Sequence, residues 1–271
     1  MNKETFFEEI KSYKLLANKS LGQNFLINPS IAENIVNSLD VKQGDKVLEI
    51  GAGLGSLSCF LKEANSNITL IDVDERMLSF LKEHFGENKN ITVRRQNILK
   101  EDLSNYTKII GNLPYYITSG IIEHVLLNAV NADKIVLMTQ KEVYSKLLKS
   151  FKSPLSLFLN YVCEISSSSI VNKNNFAPVP HVESVYFSLI PNENIKNVDN
   201  KELYKLMKIL FLHRRKTMLN CLSNIVNEKD KCAQILEKSG VNPLFRPEQL
   251  SIEDYKAILK QLKSEDFMIK I

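Results

Sequence analysis

The sequence is poor in the residues that build metal centres and disulfide frameworks. It has four cysteines and four histidines in 271 residues. No two cysteines have the C-x-x-C spacing, and no two histidines have the H-E-x-x-H spacing, of redox and zinc motifs. We therefore expect reduced, buried thiols, as is typical of the cytoplasm, and no catalytic metal.

Long apolar runs are also absent. No stretch of about eighteen or more apolar residues occurs, so the sequence predicts no membrane-spanning helix. The first residues, MNKETFFEEIKSYK, carry charges of both signs and contain no apolar core of a signal peptide. These absences predict a cytoplasmic protein that does not contact a membrane.

The positive charge is concentrated at one end of the chain. Residues 201–271 hold 14 lysines and arginines against 9 acidic residues, a net charge of +5. The whole chain carries +4, so the first 200 residues carry −1. A basic C-terminal part suits a polyanionic partner, although a solvated helical surface would give the same charge.

Five short apolar runs, rich in β-branched residues, punctuate the first half of the chain. They are KVLEI (46–50), ITLIDV (68–73), ITVRRQ (91–96), KIIGNL (108–113) and KIVLMTQ (134–140). Helical patterns lie between most of them, and this alternation predicts a mostly parallel sheet with helices on both faces. Two later runs, within LSLFLNYVCEI (155–165) and at SVYFSLI (184–190), predict further strands, which we expect to be antiparallel.

Polar residues mark the starts of two helices and one boundary. Asn28 precedes Pro29, a pairing typical of a helix N-terminus. Thr118 or Ser119 is expected to cap the helical pattern that follows. After the polar segment 192–200 only helical patterns remain. We therefore predict an N-terminal extension (1–18), an α/β domain (19–195) and a smaller all-helical C-terminal domain (196–271).

A glycine-rich turn follows the first of the five strands. Gly51, Gly53 and Gly55 allow a tight turn and a close approach of a ligand to the backbone. The dinucleotide fingerprint needs a glycine where this chain has Ser56, which weakens a nicotinamide hypothesis. Asp72 ends the second strand, where a carboxylate commonly holds ribose hydroxyls. The pattern indicates a nucleoside-containing cofactor rather than a purely structural turn.

The stretch E-I-G-A-G-L-G (49–55) resembles the S-adenosylmethionine loop of class I methyltransferases. That resemblance implies a Rossmann-like fold. The segment Asn112-Leu113-Pro114-Tyr115, at the end of the fourth strand, resembles the motif of amino-methyltransferases. The Asn112 side-chain oxygen and the Leu113 carbonyl could accept the two hydrogens of an exocyclic base amine. Tyr115 could stack on the extruded base, with Phe176 as a second ring.

Three further segments make the resemblance specific. They are KSLGQNFLIN (19–28), FAPVPHVES (176–184) and FLHRRKTMLNCL (211–222). Together with NLPYYIT (112–118), they resemble the ribosomal RNA adenine dimethyltransferase family, and most closely its housekeeping small-subunit branch. The resemblance implies dimethylation of two adjacent adenines near the 3′ end of 16S ribosomal RNA, and a role in assembly of the immature small subunit. We expect the enzyme to act as a monomer.

The resemblance also implies a set of cofactor-binding residues. The set is Asn24, Leu26, Gly51, Gly53, Asp72, Asn97 and Asn112. Asn97 departs from the family, which usually has aspartate there. A neutral acceptor in place of a carboxylate should cost on the order of 1 kcal/mol in cofactor affinity, unless a neighbouring residue makes the contact.

The sequence leaves two related functions open. One is an antibiotic-resistance methyltransferase acting on 23S ribosomal RNA, and the other is a non-enzymatic RNA-binding assembly factor. Three groups of basic residues are candidates for phosphate contacts. They are Arg94-Arg95, the set Lys141, Lys146, Lys149 and Lys152, and Arg214-Arg215-Lys216.

Overall fold

A seven-stranded sheet forms the centre of the first of two units. The computed structural model describes residues 3–12, 22–265 and 267, and within these the chain divides into two compact units. The first holds the described residues of 1–145 and 163–195. The second holds those of 146–162 and 196–271.

The described strands belong to that sheet and to one short ribbon. In chain order they are β1 (Phe25–Leu26), β2 (Lys46–Ile50), β3 (Asn67–Asp72), β4 (Ile91–Arg95), β5 (Lys108–Asn112), β6 (Lys134–Gln140), β7 (Cys163–Val171), β8 (Phe176–Ala177) and β9 (Ser184–Pro191). The sheet order is β4-β3-β2-β5-β6-β9-β7, while β1 and β8 pair separately. The five neighbouring strands from β4 to β6 in this order are parallel, and β9 is antiparallel to both of its neighbours. The predicted fold class is confirmed.

Burial on both faces explains why the central strands read as continuous apolar runs. In β2 every residue after Lys46 is buried, and β5 is buried up to its last residue. Parallel strands covered by helices on both sides lose the alternation seen in half-exposed strands. Their polar residues are therefore displaced to the strand ends, where a site can form.

Helices cover the sheet and build the second unit. In the first unit they are α1 (Lys3–Ser12), α2 (Pro29–Leu39), α3 (Ser58–Leu61), α4 (Glu75–Phe85), α5 (Thr118–Asn128) and α6 (Lys141–Ser145). In the second they are α7 (Pro154–Val162), α8 (Asn200–Phe211), α9 (Met218–Val226), α10 (Lys229–Lys238) and α11 (Ile252–Ser264).

The two predicted helix starts have different outcomes. Asn28 caps α2 as predicted, and its side chain accepts a hydrogen bond from the Ile31 backbone N–H at 3.3 Å. The cap predicted at Thr118 or Ser119 is wrong, because α5 begins at Thr118 with Ile117 in the cap position. The Thr118 hydroxyl instead donates to the Pro114 carbonyl at 2.9 Å, which closes the turn that precedes the helix.

The predicted strand within residues 155–165 is only partly right. Residues up to Val162 form α7, and the strand β7 begins at Cys163. Pro154 occupies the first helical position, which proline favours, and a short apolar run does not by itself distinguish a buried helix from a strand. Residues 146–162 also pack within the second unit, whereas the sequence had placed them in the domain 19–195.

Within the predicted N-terminal extension, α1 is part of the first unit's core. Phe6, Phe7 and Ile10 are buried there, and the Phe6 ring lies 6.0 Å from that of Phe80. The His84 Nε2 lies 3.2 Å from a carboxylate oxygen of Glu9. Residues 13–18 of the predicted extension lie outside the described residues.

The second unit has its own apolar core. The Phe158 ring packs 5.1 Å from the Tyr204 ring, which joins α7 to α8. Tyr255 of α11 is fully buried, and its hydroxyl donates to the Pro247 carbonyl at 2.6 Å. Lys263 pairs with Asp199 and Glu202, which ties the end of α11 to the start of α8.

The described residues include all four cysteines, which are buried and form no disulfide bond. None of the described helices is both long and apolar enough to span a membrane. Among the described residues no cluster of histidine, cysteine and acidic side chains could hold a metal ion.

Candidate active site

A cavity of about 310 Å³ opens at the carboxyl ends of the parallel strands. Its walls come from the segments that follow β2, β3, β4 and β5, and from residues 22–26. Ligands of open α/β sheets bind at this edge, because the strand ends and the helix N-termini converge there. The predicted cofactor-binding residues Asn24, Leu26, Gly51, Gly53, Asp72, Asn97 and Asn112 all line this cavity.

The glycine turn after β2 has a backbone that other residues rarely adopt. Gly51, Gly53 and Gly55 have φ values of 63°, 55° and 76°. A Cβ at Gly55 would lie 2.5 Å from the buried Phe85 ring, so a larger residue could not be accommodated without displacing α4. The Gly53 N–H donates to Asp72 Oδ2 at 2.9 Å, and this bond fixes the turn against the end of β3.

Two buried carboxyl groups, those of Glu49 and Asp72, line the cavity. Glu49 is 2% exposed and accepts a hydrogen bond from the Ser58 hydroxyl at 2.6 Å. Burial raises the pKa of Glu49 to about 8, the Ser58 bond opposes this rise, and the charge of Asp72 adds to it. Burial also raises the pKa of Asp72, against hydrogen bonds from backbone N–H groups that lower it. No lysine, arginine or histidine lines the cavity in the described part of the chain.

Residues 22–28, which we call the strap, contribute Gly22 to Leu26 to the cavity wall. The Gln23 amide donates to Asp74 at 3.0 Å, and the Leu26 carbonyl accepts from the Ser56 hydroxyl at 2.7 Å. Ser56, which stands where the dinucleotide fingerprint has glycine, therefore fastens the strap to the glycine turn. Neither Gln23 nor Ser56 was predicted from sequence to contribute to the site, although Gln23 lies inside the segment 19–28 and Ser56 directly follows the glycine-rich stretch 49–55.

The Asn112 side chain links the strap to the end of β5. Its Nδ2 donates to the Asn24 backbone carbonyl at 3.1 Å. Because only the nitrogen can donate to a carbonyl, this bond fixes the orientation of the amide. The Asn112 Oδ1 has no hydrogen-bond partner among the described residues and remains an acceptor beside the cavity.

Two tyrosines follow Asn112 in the segment between β5 and α5. Tyr115 lines the cavity and is half-buried, and its hydroxyl lies 2.8 Å from Ser184 Oγ. Tyr116 also lines the cavity and is 56% exposed, with its ring against Gly22 of the strap. Leu113 and Pro114 shape the same wall. The predicted segment 112–115 thus lies together at one site.

Phe176 does not present the stacking surface that the sequence predicted. Its side chain is 1% exposed, and it belongs to the apolar core cluster of the first unit. It lies on β8, where it pairs with Leu26 of the strap. In this structure Phe176 therefore packs beneath the strap, and the aromatic residues that line the cavity in the described chain are Phe25, Tyr115 and Tyr116.

The side chains of Asn97 and Arg94 make contacts within the protein that the sequence did not predict. Asn97 lines the cavity, but its Oδ1 also accepts from the Leu99 N–H at 3.0 Å and so caps a short 3₁₀ turn. The neighbouring Gln96 amide donates to the buried Glu101 at 2.9 Å. Arg94 also binds Glu101 and the Tyr106 hydroxyl. Arg94 therefore acts as a brace for this turn, and the hypothesis that it is a free phosphate contact does not fit.

The basic helix face predicted from Lys141 to Lys152 is also absent. The helix α6 ends at Ser145, and Lys141 pairs with Glu183 at 2.9 Å. Arg95 pairs with Glu75 at 2.6 Å. Both ion pairs are exposed, so they add little stability, but in the free protein each of these cations already lies beside a carboxylate.

Comparison with protein families shows which methyltransferase family the chain belongs to. The family model described as "Ribosomal RNA adenine dimethylase" matches residues 14–264. The chain belongs to the ribosomal RNA adenine dimethylase family. The family resemblance predicted from the five motifs is confirmed.

Relatives within this family match along nearly their whole length. The ribosomal RNA small subunit methyltransferase A of Alkaliphilus metalliredigens (strain QYMF) is 34% identical, over 93% of this chain and 94% of that protein. The protein of the same name from Streptococcus sanguinis (strain SK36) is 32% identical, over 91% of this chain and 92% of that protein.

Solved structures agree on the fold. A dimethyladenosine transferase from Plasmodium falciparum has a TM-score of 0.74 at 25% identity, covering 89% of this chain and 98% of that chain. The 23S rRNA methyltransferase ErmE has a TM-score of 0.63 at 21% identity, covering 89% of this chain and all of that chain. At that identity the second likeness shows the fold alone.

The cofactor of this dimethylase is S-adenosyl-L-methionine, and the cavity fits it. The cofactor carries a positive sulfonium, and among the described residues the cavity wall offers two carboxyl groups and no cation. The glycine turn leaves room for a backbone approach at the end of β2. Asp72 would hold the ribose, the strap residues Asn24 and Leu26 would close over the ligand, and Asn97 would face the adenine; these individual roles stay predictions.

The buried Glu49 predicts a pH-dependent preference between the charged cofactor and its neutral product. Glu49 is protonated below about pH 8 and negative above it, so raising the pH strengthens attraction to the sulfonium. We expect the affinity ratio of S-adenosylmethionine to S-adenosylhomocysteine, measured by calorimetry, to rise several-fold between about pH 6.5 and 8.5. Both ligands share the same amino-acid group, so its own titration cancels in the ratio. The Glu49→Gln variant should show a ratio that does not change, and a constant ratio in the wild type would contradict the assignment.

Proposed function

We propose that this dimethylase transfers methyl groups from S-adenosyl-L-methionine to the exocyclic amines of two adjacent adenines near the 3′ end of 16S ribosomal RNA. Family membership supports the reaction, and the relatives named for the small ribosomal subunit support the substrate. We further propose that the enzyme acts as a monomer in the cytoplasm, on the immature small subunit.

The observation that carries the chemistry is the fixed amide of Asn112. An adenine amine is a poor nucleophile, because its lone pair is delocalised into the ring. With Nδ2 bonded to the strap, Oδ1 of Asn112 is left to accept one amine hydrogen, and we propose that the carbonyl of the next residue, Leu113, accepts the other. Two such acceptors orient the amine and favour the pyramidal geometry from which it attacks. Catalysis of this kind rests on positioning and electrostatics.

S-adenosylmethionine supplies a methyl group on a positively charged sulfur. The protein's part is to hold the base amine in line with that group and to exclude water. Tyr115 would contribute a flat face for the extruded adenine, and the exposed Tyr116 lies beside it at the cavity mouth. The strap would shield the reacting atoms from solvent on the side of the cavity formed by residues 22–26.

We propose that residues 196–271 contribute the main RNA-binding surface. Arg214, Arg215 and Lys216 are exposed, and none has an acidic partner within the part of the chain that the structure describes. They lie in the segment between α8 and α9. Unpaired surface cations release counterions when they meet phosphates, which favours binding without sequence preference.

The alternative functions receive less support. The likeness to the 23S methyltransferase is one of fold, whereas the relatives that share a third of their residues are named for the small subunit. A non-enzymatic assembly factor would not need an acidic cavity with a fixed Asn112. A nicotinamide dinucleotide enzyme is disfavoured, because the hydroxyl of Ser56 holds the strap where that fingerprint requires glycine.

A methyl-transfer assay tests the function. Labelled S-adenosylmethionine is supplied with purified small subunits that lack adenine dimethylation, and with large subunits in parallel. We expect label in two adjacent small-subunit adenines, and a loss of at least about a hundredfold in the Asn112→Ala variant. Label in the large subunit alone would move the enzyme to the 23S class, and cofactor binding without label in either subunit would contradict the proposed substrate.

The salt dependence of RNA binding tests the proposed surface. We expect Arg215→Ala to weaken binding to small-subunit RNA and to reduce the slope of log K against log salt by about 0.7–0.9, the amount for one phosphate contact. Arg95→Ala is the matched control, because that guanidinium is already paired with Glu75. Equal slopes for wild type and Arg215→Ala would remove Arg215 from the interface.

A further inference from the structure

A buried serine that is distant in sequence, Ser184, hydrogen-bonds to the hydroxyl of Tyr115. The Ser184 Oγ lies 2.8 Å from the Tyr115 hydroxyl, and either group can donate the hydrogen bond. The two residues are 69 positions apart. Ser184 is fully buried, so water does not compete for its hydroxyl.

Ser184 lies in the rigid part of the sheet. It is the first residue of β9, which runs between β6 and β7. On one side it pairs with Gln140 and on the other with Val171. A buried side chain on a strand paired on both sides has little freedom, so the Ser184 hydroxyl is a fixed partner for the Tyr115 hydroxyl.

Tyr115 by contrast lies in a turn. The segment between β5 and α5 is short, and Tyr115 is only half-buried in it. Its backbone is close to that of Gly22, where the strap begins: a Cβ on Gly22 would lie 3.5 Å from the Tyr115 nitrogen. Nothing in the turn itself fixes the far end of the ring, and the bond to Ser184 does so from the sheet.

We propose that Ser184 is a positioning residue, which holds the Tyr115 ring at the angle needed to stack on the target adenine. The proposal rests on the proposed function of Tyr115 as the stacking ring. It accounts for the serine of the FAPVPHVES motif, to which the sequence had assigned no role. The assignment adds a hydroxyl contact to the site without making Ser184 a catalytic residue, because Ser184 does not touch the substrate.

The same strand supplies a matched control. Ser188 lies four residues further along β9 and is 1% exposed. Its hydroxyl has no hydrogen-bond partner among the described residues. Ser188→Ala therefore makes the same chemical change at equal burial in the same strand, but breaks no contact to the site.

The experiment compares four variants with the wild type. They are Ser184→Ala, Ser188→Ala, Tyr115→Phe and the double variant Ser184→Ala/Tyr115→Phe. Tyr115→Phe removes the same hydrogen bond from the other end while leaving β9 unchanged, so the test survives if Ser184→Ala folds poorly. Thermal unfolding and S-adenosylmethionine affinity are measured for each variant beside kcat and the KM for RNA.

We expect Ser184→Ala and Tyr115→Phe each to lower kcat by about five- to tenfold, with cofactor affinity unchanged. The double variant should be no worse than either single variant, since both changes break one bond. Ser188→Ala should match the wild type. Unchanged kcat in both single variants would overturn the proposal, and so would losses that multiply in the double variant.

A spectroscopic readout separates this proposal from the proposed function. With 3-fluorotyrosine at position 115, we expect the ¹⁹F resonance to shift in Ser184→Ala and to stay in place in Ser188→Ala, whether or not RNA is methylated. An unmoved resonance in Ser184→Ala would overturn the positioning role even in an active enzyme. If the wild type transferred no methyl group while the resonance shifted, the contact would stand and the proposed function would fail.

Discussion

The site depends on one hydrogen bond, from the Asn112 amide to the Asn24 carbonyl. It closes the strap onto the end of β5, and it decides which atom of the amide is left to receive a substrate. A free asparagine could present either its oxygen or its nitrogen to a base amine, and only the oxygen can accept. On the proposed role of Asn112, the strap would be part of the catalytic geometry as well as a cover for the cofactor.

Electrostatics complement this geometry. The cavity wall has carboxyl groups at Glu49 and Asp72 and no cation in the described chain. A cationic cofactor stabilises the ionised form of these carboxyl groups, which is otherwise costly to bury, and loss of the methyl group removes that compensation. The same pocket that attracts the donor should thus hold the product less tightly, and Glu49, whose pKa is about 8, makes this difference depend on pH.

Much of this arrangement could be predicted from the sequence, because closely spaced glycines and polar residues at the end of an apolar strand are seldom needed for folding alone. The five parallel strands and the cavity position of Asp72 and Asn112 follow from local patterns. Burial and long-range pairing could not be predicted in that way. Phe176 is enclosed by the core, α7 takes most of the segment 155–165 in which a strand was predicted, and Arg94 binds Glu101. The burial of Phe176 and the bond between Tyr115 and Ser184 depend on residues distant in sequence, whereas the Arg94 pair spans seven positions and depends on how the turn folds.

The most direct test of the account is the Asn112→Asp variant, which keeps the size and the acceptor but removes the donor to Asn24. Two carboxylate oxygens facing a backbone carbonyl repel it, so the strap should lose its anchor. We predict that methyl transfer falls by about a hundredfold and that cofactor affinity also falls, while the thermal unfolding temperature stays close to that of the wild type. Transfer at the wild-type rate in Asn112→Asp would contradict the central role given to this hydrogen bond.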